Sequence, residues 1–275
     1  MALSIRTNVA SLNAQNNLLK TQSALDSSMS KLSTGMRITK AGDDAAGLGI
    51  STNLEAQIRS YNQASRNAND GVSLIQTAEG ALNSTTNILT RLRELAMQSA
   101  SDGIGNTERA YIQQEVLGLR TELDRNANAA EFNGKALLNS AATSLDFQVG
   151  IRNITANDRI SVSTIDVTGA TLGVSALDFS TKAAAQTALG TIDTALNSVS
   201  NARAVFGAAG NRFDATIQNI QTFAESLSAA NSRIRDVDVA QETSNLSRAQ
   251  ILAQAGISVL SQANQMPQMA LKLLG

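Results

Sequence analysis

The chain has 275 residues and a mass of 28.8 kDa, enough for a hydrophobic core without disulfides or metal staples. It holds no Cys, His or Trp, one Pro and 3% aromatic residues, which excludes thiol nucleophiles, His-ligated metals and every Ser-His-Asp or Cys-His constellation; no catalytic residue, cofactor loop or metal cluster can be named. With 22 Lys plus Arg against 23 Asp plus Glu, no field of one sign draws the chain to nucleic acid, and no run of about 18 apolar residues is present to insert into a membrane.

The N-terminal segment MALSIRTNVASLNAQNN lacks the continuous apolar stretch of a cleaved secretory signal. From Ile5 onward, Val9, Leu12, Leu19, Leu25, Met29, Leu32 and Met36 recur at steps of three and four, interrupted by Asn16 and Gln22, and predict a helix over residues 5–36. KAGDDAAGLG then reads as a connector, with Gly42, Gly47 and Gly49 breaking the pattern and Asp43 and Asp44 capping a helix rather than holding a cation. The stripe resumes at Ile58, Tyr61, Ala68, Val72, Ile75, Leu82, Leu89 and Ala96, which predicts a long second helix. SASDGIGNTE turns the chain, Asn106 or Thr107 starts a third helix, and Ile112, Val116, Leu119 and Leu123 give its face.

Beyond EFNGK the period changes. Phe147, Val149 and Ile151 alternate with polar residues, as do Ile160 with Val162 and Ile165 with Val167 beyond the turn-like Asn157 and Asp158, so hairpin strands are expected with a bulge between Val162 and Ile165. A further stripe from Leu189 to Ile234 keeps the 3-4 spacing for more than six heptads, and a last one runs from Val239 to Leu274 with Pro267 expected to kink it.

These elements give a mainly α fold: a long antiparallel helical rod or coiled coil built from both chain ends, with a small β-hairpin region in the middle. The end stripes would form helices of about 50 Å and the inner ones of about 60 to 70 Å, at 1.5 Å rise per residue, so each pair matches in length. The end helices carry Asn16, Gln22, Thr243, Gln250 and Asn264 on the stripe itself, so a lone pair of them would be weakly held. Two readings of the stripes stand side by side. Either the end helices complete their burial against copies of themselves, in a head-to-tail contact that builds a filament, or the stripes are satisfied within a monomeric bundle.

The segments SIRTNVASLNAQNNL, SKLSTGMRITKAGDDAAGLGIS, RLRELAMQSASDG, FNGKALL, VFGAAGNRFDATIQNI and NLSRAQILAQAGISVLSQANQMPQMALKLL resemble, in order, those of bacterial flagellin. The resemblance covers residues 1–150 and 185–275 and leaves only the stretch between Asp166 and Thr187 for the variable outer insertion, so it implies a short form. It implies a structural subunit that self-assembles into the flagellar filament for motility, with a flagellin-like hook-filament junction protein as the alternative. Residues 1–42 and 236–275 would form the terminal polymerisation domain, and residues 43–235 a mixed helical domain with its β-hairpin region at about 140–187. The polymerisation seam would comprise Ile5, Val9, Leu12, Leu19, Leu25, Leu32, Leu246, Ile257, Leu260 and Leu271, with Ile257 and Leu260 facing Leu12 and Leu19. Implied partners are other copies in a helical homopolymer, a flagellar export chaperone, the flagellar type III export apparatus, cap and junction proteins, and Toll-like receptor 5 through Arg91, Leu95 and Glu115. The implied place is the extracellular flagellum, reached without a cleaved signal peptide.

Overall fold

The computed structural model describes residues 7–139 and 143–274, the last eight of these by backbone alone. The fold is mainly α, with long helices toward both ends of the chain and a small antiparallel strand region in its middle. Helices α1 (Val9–Thr34), α2 (Ala45–Ser99) and α3 (Asn106–Ala129) lead into strands β1 (Glu131–Phe132), β2 (Lys135–Ala136) and β3 (Ser144–Gln148). A single turn α4 (Thr155–Asp158), strand β4 (Arg159–Ser163), and the helices α5 (Lys182–Arg235) and α6 (Val239–Leu274) complete the chain.

Four helices start where a short polar side chain can take up an unsatisfied backbone N–H. Asn8 accepts from Ser11 N at 3.1 Å, Asp44 from Gly47 N at 2.8 Å, Thr181 from Ala184 N at 3.2 Å, and Asp238 from Ala240 N and Gln241 N at 3.0 and 3.1 Å. The cap at Asp44 sets the start of α2 earlier than the sequence pattern does: Gly47 and Gly49, expected in a connector, lie in its first turns. Gly47 has a packing reason to be glycine, since a Cβ there would stand 2.8 Å from Ile38 Cδ1. Asp43 closes the preceding loop by accepting from the backbone N–H groups of Thr39 and Lys40, both at 3.0 Å. Those bonds, the Thr39 one foremost, hold its carboxyl below the usual aspartate range. At the other end α6 continues as one helix through Pro267, where a kink is expected, to Leu274.

The hairpin region is smaller and differently closed than its alternation predicts. β3 pairs antiparallel with β4 in the register Leu145↔Val162 and Phe147↔Ile160, but β3 ends at Gln148, so Val149 and Ile151 lie outside the strand, in the segment before α4. The register runs in step to Ser144↔Ser163, with no bulge among the described residues. β4 ends at Ser163, and Ile165 and Val167 instead donate their N–H groups to the carbonyls of Leu137 and Leu138, at 3.1 and 2.9 Å. The pair β1–β2 is closed by Asn133 and Gly134 at φ 50° and 72°, the left-handed conformations that a two-residue turn needs and that Asn-Gly supplies at low cost.

The chain divides into two compact units: residues 1–58 with 226–275, and residues 59–225. In the second unit one continuous core runs from Ala64 to Ile220 and includes Leu82, Leu89, Leu92, Leu123, Phe179, Ile192, Phe206 and Phe213. The buried Arg109 guanidinium satisfies the C-terminal end of α2 by donating to Ser99 O and Ser101 O at 2.9 and 2.8 Å, so this charge is spent on helix termination rather than chemistry.

In the first unit α1 and α6 lie antiparallel. Asn8 Nδ2 donates to Ala263 O at 2.8 Å, while at the far end Met36 bridges Asp236 and Val237 N donates to Gly35 O at 3.0 Å. Gly35, at φ 71°, ends α1 in a left-handed turn that a β-carbon would strain. Arg37 clamps the same end, its backbone N donating to Arg235 O at 2.6 Å and its guanidinium to Ile234 O at 2.7 Å.

Candidate self-assembly surface

The contact between α1 and α6 follows a 3-4 spacing, but not along the large side chains. On α1 the residues turned toward α6 are Ser11, Ala14, Leu18, Thr21, Leu25, Ser28 and Leu32, and on α6 they are Leu246, Ala249, Ala253, Gly256, Leu260 and Ala263; all are buried or half-buried. This is a heptad seam made mostly of small residues. Its closeness shows at Gly256, where a Cβ would lie 3.3 Å from Leu18 Cδ1, and at Ser11, whose hydroxyl donates to Asn264 Oδ1 at 2.7 Å.

Many of the large apolar side chains of both helices nevertheless lie outside that seam. Leu12 is 51% exposed, Leu19 68% and Ile257 59%, and Val9, Ile251, Leu252, Val259 and Met266 are exposed with them. The expected pairing of Ile257 and Leu260 with Leu12 and Leu19 is therefore not made within the chain: Leu260 turns inward, and the other three point outward. Leu25, Leu32 and Leu246 sit half-buried in the small-residue seam, Ile5 lies outside the described residues, and so does the side chain of Leu271. Covering a fully exposed Leu, Ile or Val is worth about 1.5 to 3 kcal/mol. Eight such side chains, each a little over half exposed, leave on the order of 7 to 14 kcal/mol unrealised on this pair of helices. Exposed apolar side chains in that number on a two-helix unit are what contact with another molecule would cover.

The three residues that the resemblance places in a receptor patch fall into two groups. Arg91 and Glu115 are exposed and ion-paired at 2.9 Å, with Glu94 bonding the same guanidinium at 3.0 Å. Leu95, by contrast, is 2% exposed and belongs to the core of the second unit, so it supports this surface from below and offers nothing to solvent. The reason is helical geometry: Leu92, Leu95 and Ala96 share the inward face of α2, while Arg91 and Glu94 share the outward one. Among the described residues, no group of three or more Asp and Glu could hold a metal ion, and no helix is long and apolar enough to cross a membrane.

A family model described as the bacterial flagellin N-terminal helical region matches residues 5–143, and one described as the bacterial flagellin C-terminal helical region matches residues 189–274. Over 304 aligned residues the chain is 43% identical to a flagellin of Bacillus subtilis (strain 168), covering 98% of this chain and 99% of that protein. It is 41% identical to the flagellar filament 33 kDa core protein of Treponema phagedenis, again covering 98% and 99%. Among solved structures, the crystal structure of Bacillus cereus flagellin superposes with a TM-score of 0.51 at 29% identity, over 60% of this chain and 94% of that one. A flagellar hook-associated protein from Vibrio parahaemolyticus superposes at 0.60 with 15% identity, over 70% of this chain and 100% of that one, a likeness of fold. Matched by both terminal family models and aligned end to end with its relatives, the chain belongs to the bacterial flagellins.

Proposed function

We propose that the outward apolar rows of α1 and α6 are the surface through which copies of this chain add to one another, and that residues 1–42 and 236–275 are the assembling part. As a flagellin the chain is a structural subunit of the extracellular flagellar filament and not an enzyme. The observation that supports this use of the surface is the packing of the helix pair, with mostly small residues inside and Leu12, Leu19 and Ile257 left outside. A subunit contact that repeats head to tail does not close, and so grows into a helical polymer.

Further partners follow from the same surface. An apolar row of this extent has to be shielded until copies meet, which is the task of an export chaperone covering α6 before passage through the flagellar type III apparatus. At the ends of the filament the same row meets the cap and junction proteins. The exposed pair Arg91 and Glu115 is the part of the second unit assigned to Toll-like receptor 5 contact, with Leu95 beneath it.

Purified chain seeded with fragments of its own filament is expected to grow long filaments visible by electron microscopy. A chain that stays monomeric, or stops at short oligomers, under those conditions would contradict this reading in favour of a junction-type role.

A further inference from the structure

Two grooves flank α1 in the helix-pair unit, and they carry opposite charge. Lys20, Lys31 and Arg248 line the first with the single carboxylate of Glu242, and the exposed Leu252 forms part of its wall. Asp26 and Asp43 line the second with the single ammonium of Lys40, and the exposed Leu19 stands beside them. At 100° per residue the two linings lie about a third of a turn apart around α1. Lys31 already attracts Asp43 within the chain, whereas Lys20 and Arg248 form no ion pair among the described residues. Asp26 accepts only a long bond from the Gln22 side-chain amide, at 3.2 Å.

We propose that the basic groove of one copy receives the acidic, Leu19-bearing face of the next, with Lys20 and Arg248 meeting Asp26 and Leu19 packing against Leu252. The inference rests on the reading of the chain as a self-assembling subunit and names the polarity of one of its contacts. The charges decide that polarity. With Glu242 and Lys40 counted, a two-fold contact at the basic groove would set a net charge of +2 against +2, and one at the acidic face −1 against −1, so each face disfavours its own kind. Only the unlike pairing satisfies both, and because the two faces differ the contact is heterologous and repeats without closing. The two exposed Leu side chains supply affinity on dehydration, while the charges set register and the rate of encounter.

Charge reversal of the full-length chain tests this. Lys20→Glu with Arg248→Glu in one chain, and Asp26→Lys in another, are each expected to raise the critical concentration for seeded polymerisation by about tenfold or more. The chain carrying all three substitutions should return close to the wild-type value, because the unlike pairing is restored with its signs exchanged. Circular dichroism should show wild-type helicity in all three, since every altered position is exposed. Either reversed chain polymerising at the wild-type critical concentration, or the triple variant remaining as impaired as its parents, would overturn the proposal. If that happens while Ile257→Asp still abolishes assembly, the ionic contact is wrong and the filament reading stands.

Discussion

Ile257→Asp is expected to yield a folded monomer that forms no filaments. Ile257 is 59% exposed on α6, outside the small-residue seam, so a carboxylate there meets water in the free chain and should cost within about 0.5 kcal/mol of stability. In the filament the same position has to be dehydrated against a second copy, and an unpaired charge buried in such a contact costs several kcal/mol. The core of the second unit, which runs from Ala64 to Ile220, is untouched, and its melting transition should be unchanged. Sedimentation, electron microscopy and calorimetry on one preparation separate these effects. Polymerisation of the variant at the wild-type rate would show that the outward row is not the assembly surface.

Phe213→Ala should act the opposite way, on folding of the second unit rather than on the helix-pair surface. Phe213 is fully buried, meets the Phe147 ring edge-on with centroids 5.4 Å apart, and presses so closely on α2 that a Cβ on Gly71 would stand 2.5 Å from its Cζ. The ring thus joins α5, β3 and α2 at one point. Truncating a buried Phe costs about 3 to 5 kcal/mol, through lost transfer energy and the cavity left behind. At roughly 2 to 4 °C per kcal/mol for a domain of this size, the melting temperature should fall by on the order of 10 °C. A drop of under about 3 °C would mean that the site collapses around the smaller side chain and that the three elements do not depend on it.

The helices were legible because their 3-4 spacing persists for many turns, and the strand pair because Phe147, Ile160 and Val162 alternate. The seam between α1 and α6 was not, and the reason is physical. Periodicity reading assigns the large apolar side chains to the buried face, a rule that holds where a chain satisfies its own core. Here Ser11, Ala14, Ser28, Ala249, Ala253 and Gly256 make the inner contact, and the Leu and Ile residues beside them are left outward. A parallel 3-4 series of small residues, one position away from the apolar one, was the available signal. Asn133-Gly134 was a second, since an Asn-Gly pair between short extended segments marks a two-residue hairpin. The burial of Leu95 was readable from its spacing with Leu92 and Ala96, and the resemblance to other flagellins counted it among the receptor-contact residues instead.

The central claim is that the outward row of α1 and α6 is open in the monomer and closed in the filament. The chain contains no Cys, so a single introduced thiol reports on its own position without background. Leu12→Cys, Leu19→Cys and Ile257→Cys, each co-assembled as a minor fraction with unaltered chain, should react freely with a thiol reagent as monomers. In filaments their rates should fall by at least about tenfold, whereas Ser11→Cys, in the closed inner seam, should react slowly in both states. Equal labelling of Leu12→Cys, Leu19→Cys and Ile257→Cys in monomer and filament would contradict the account.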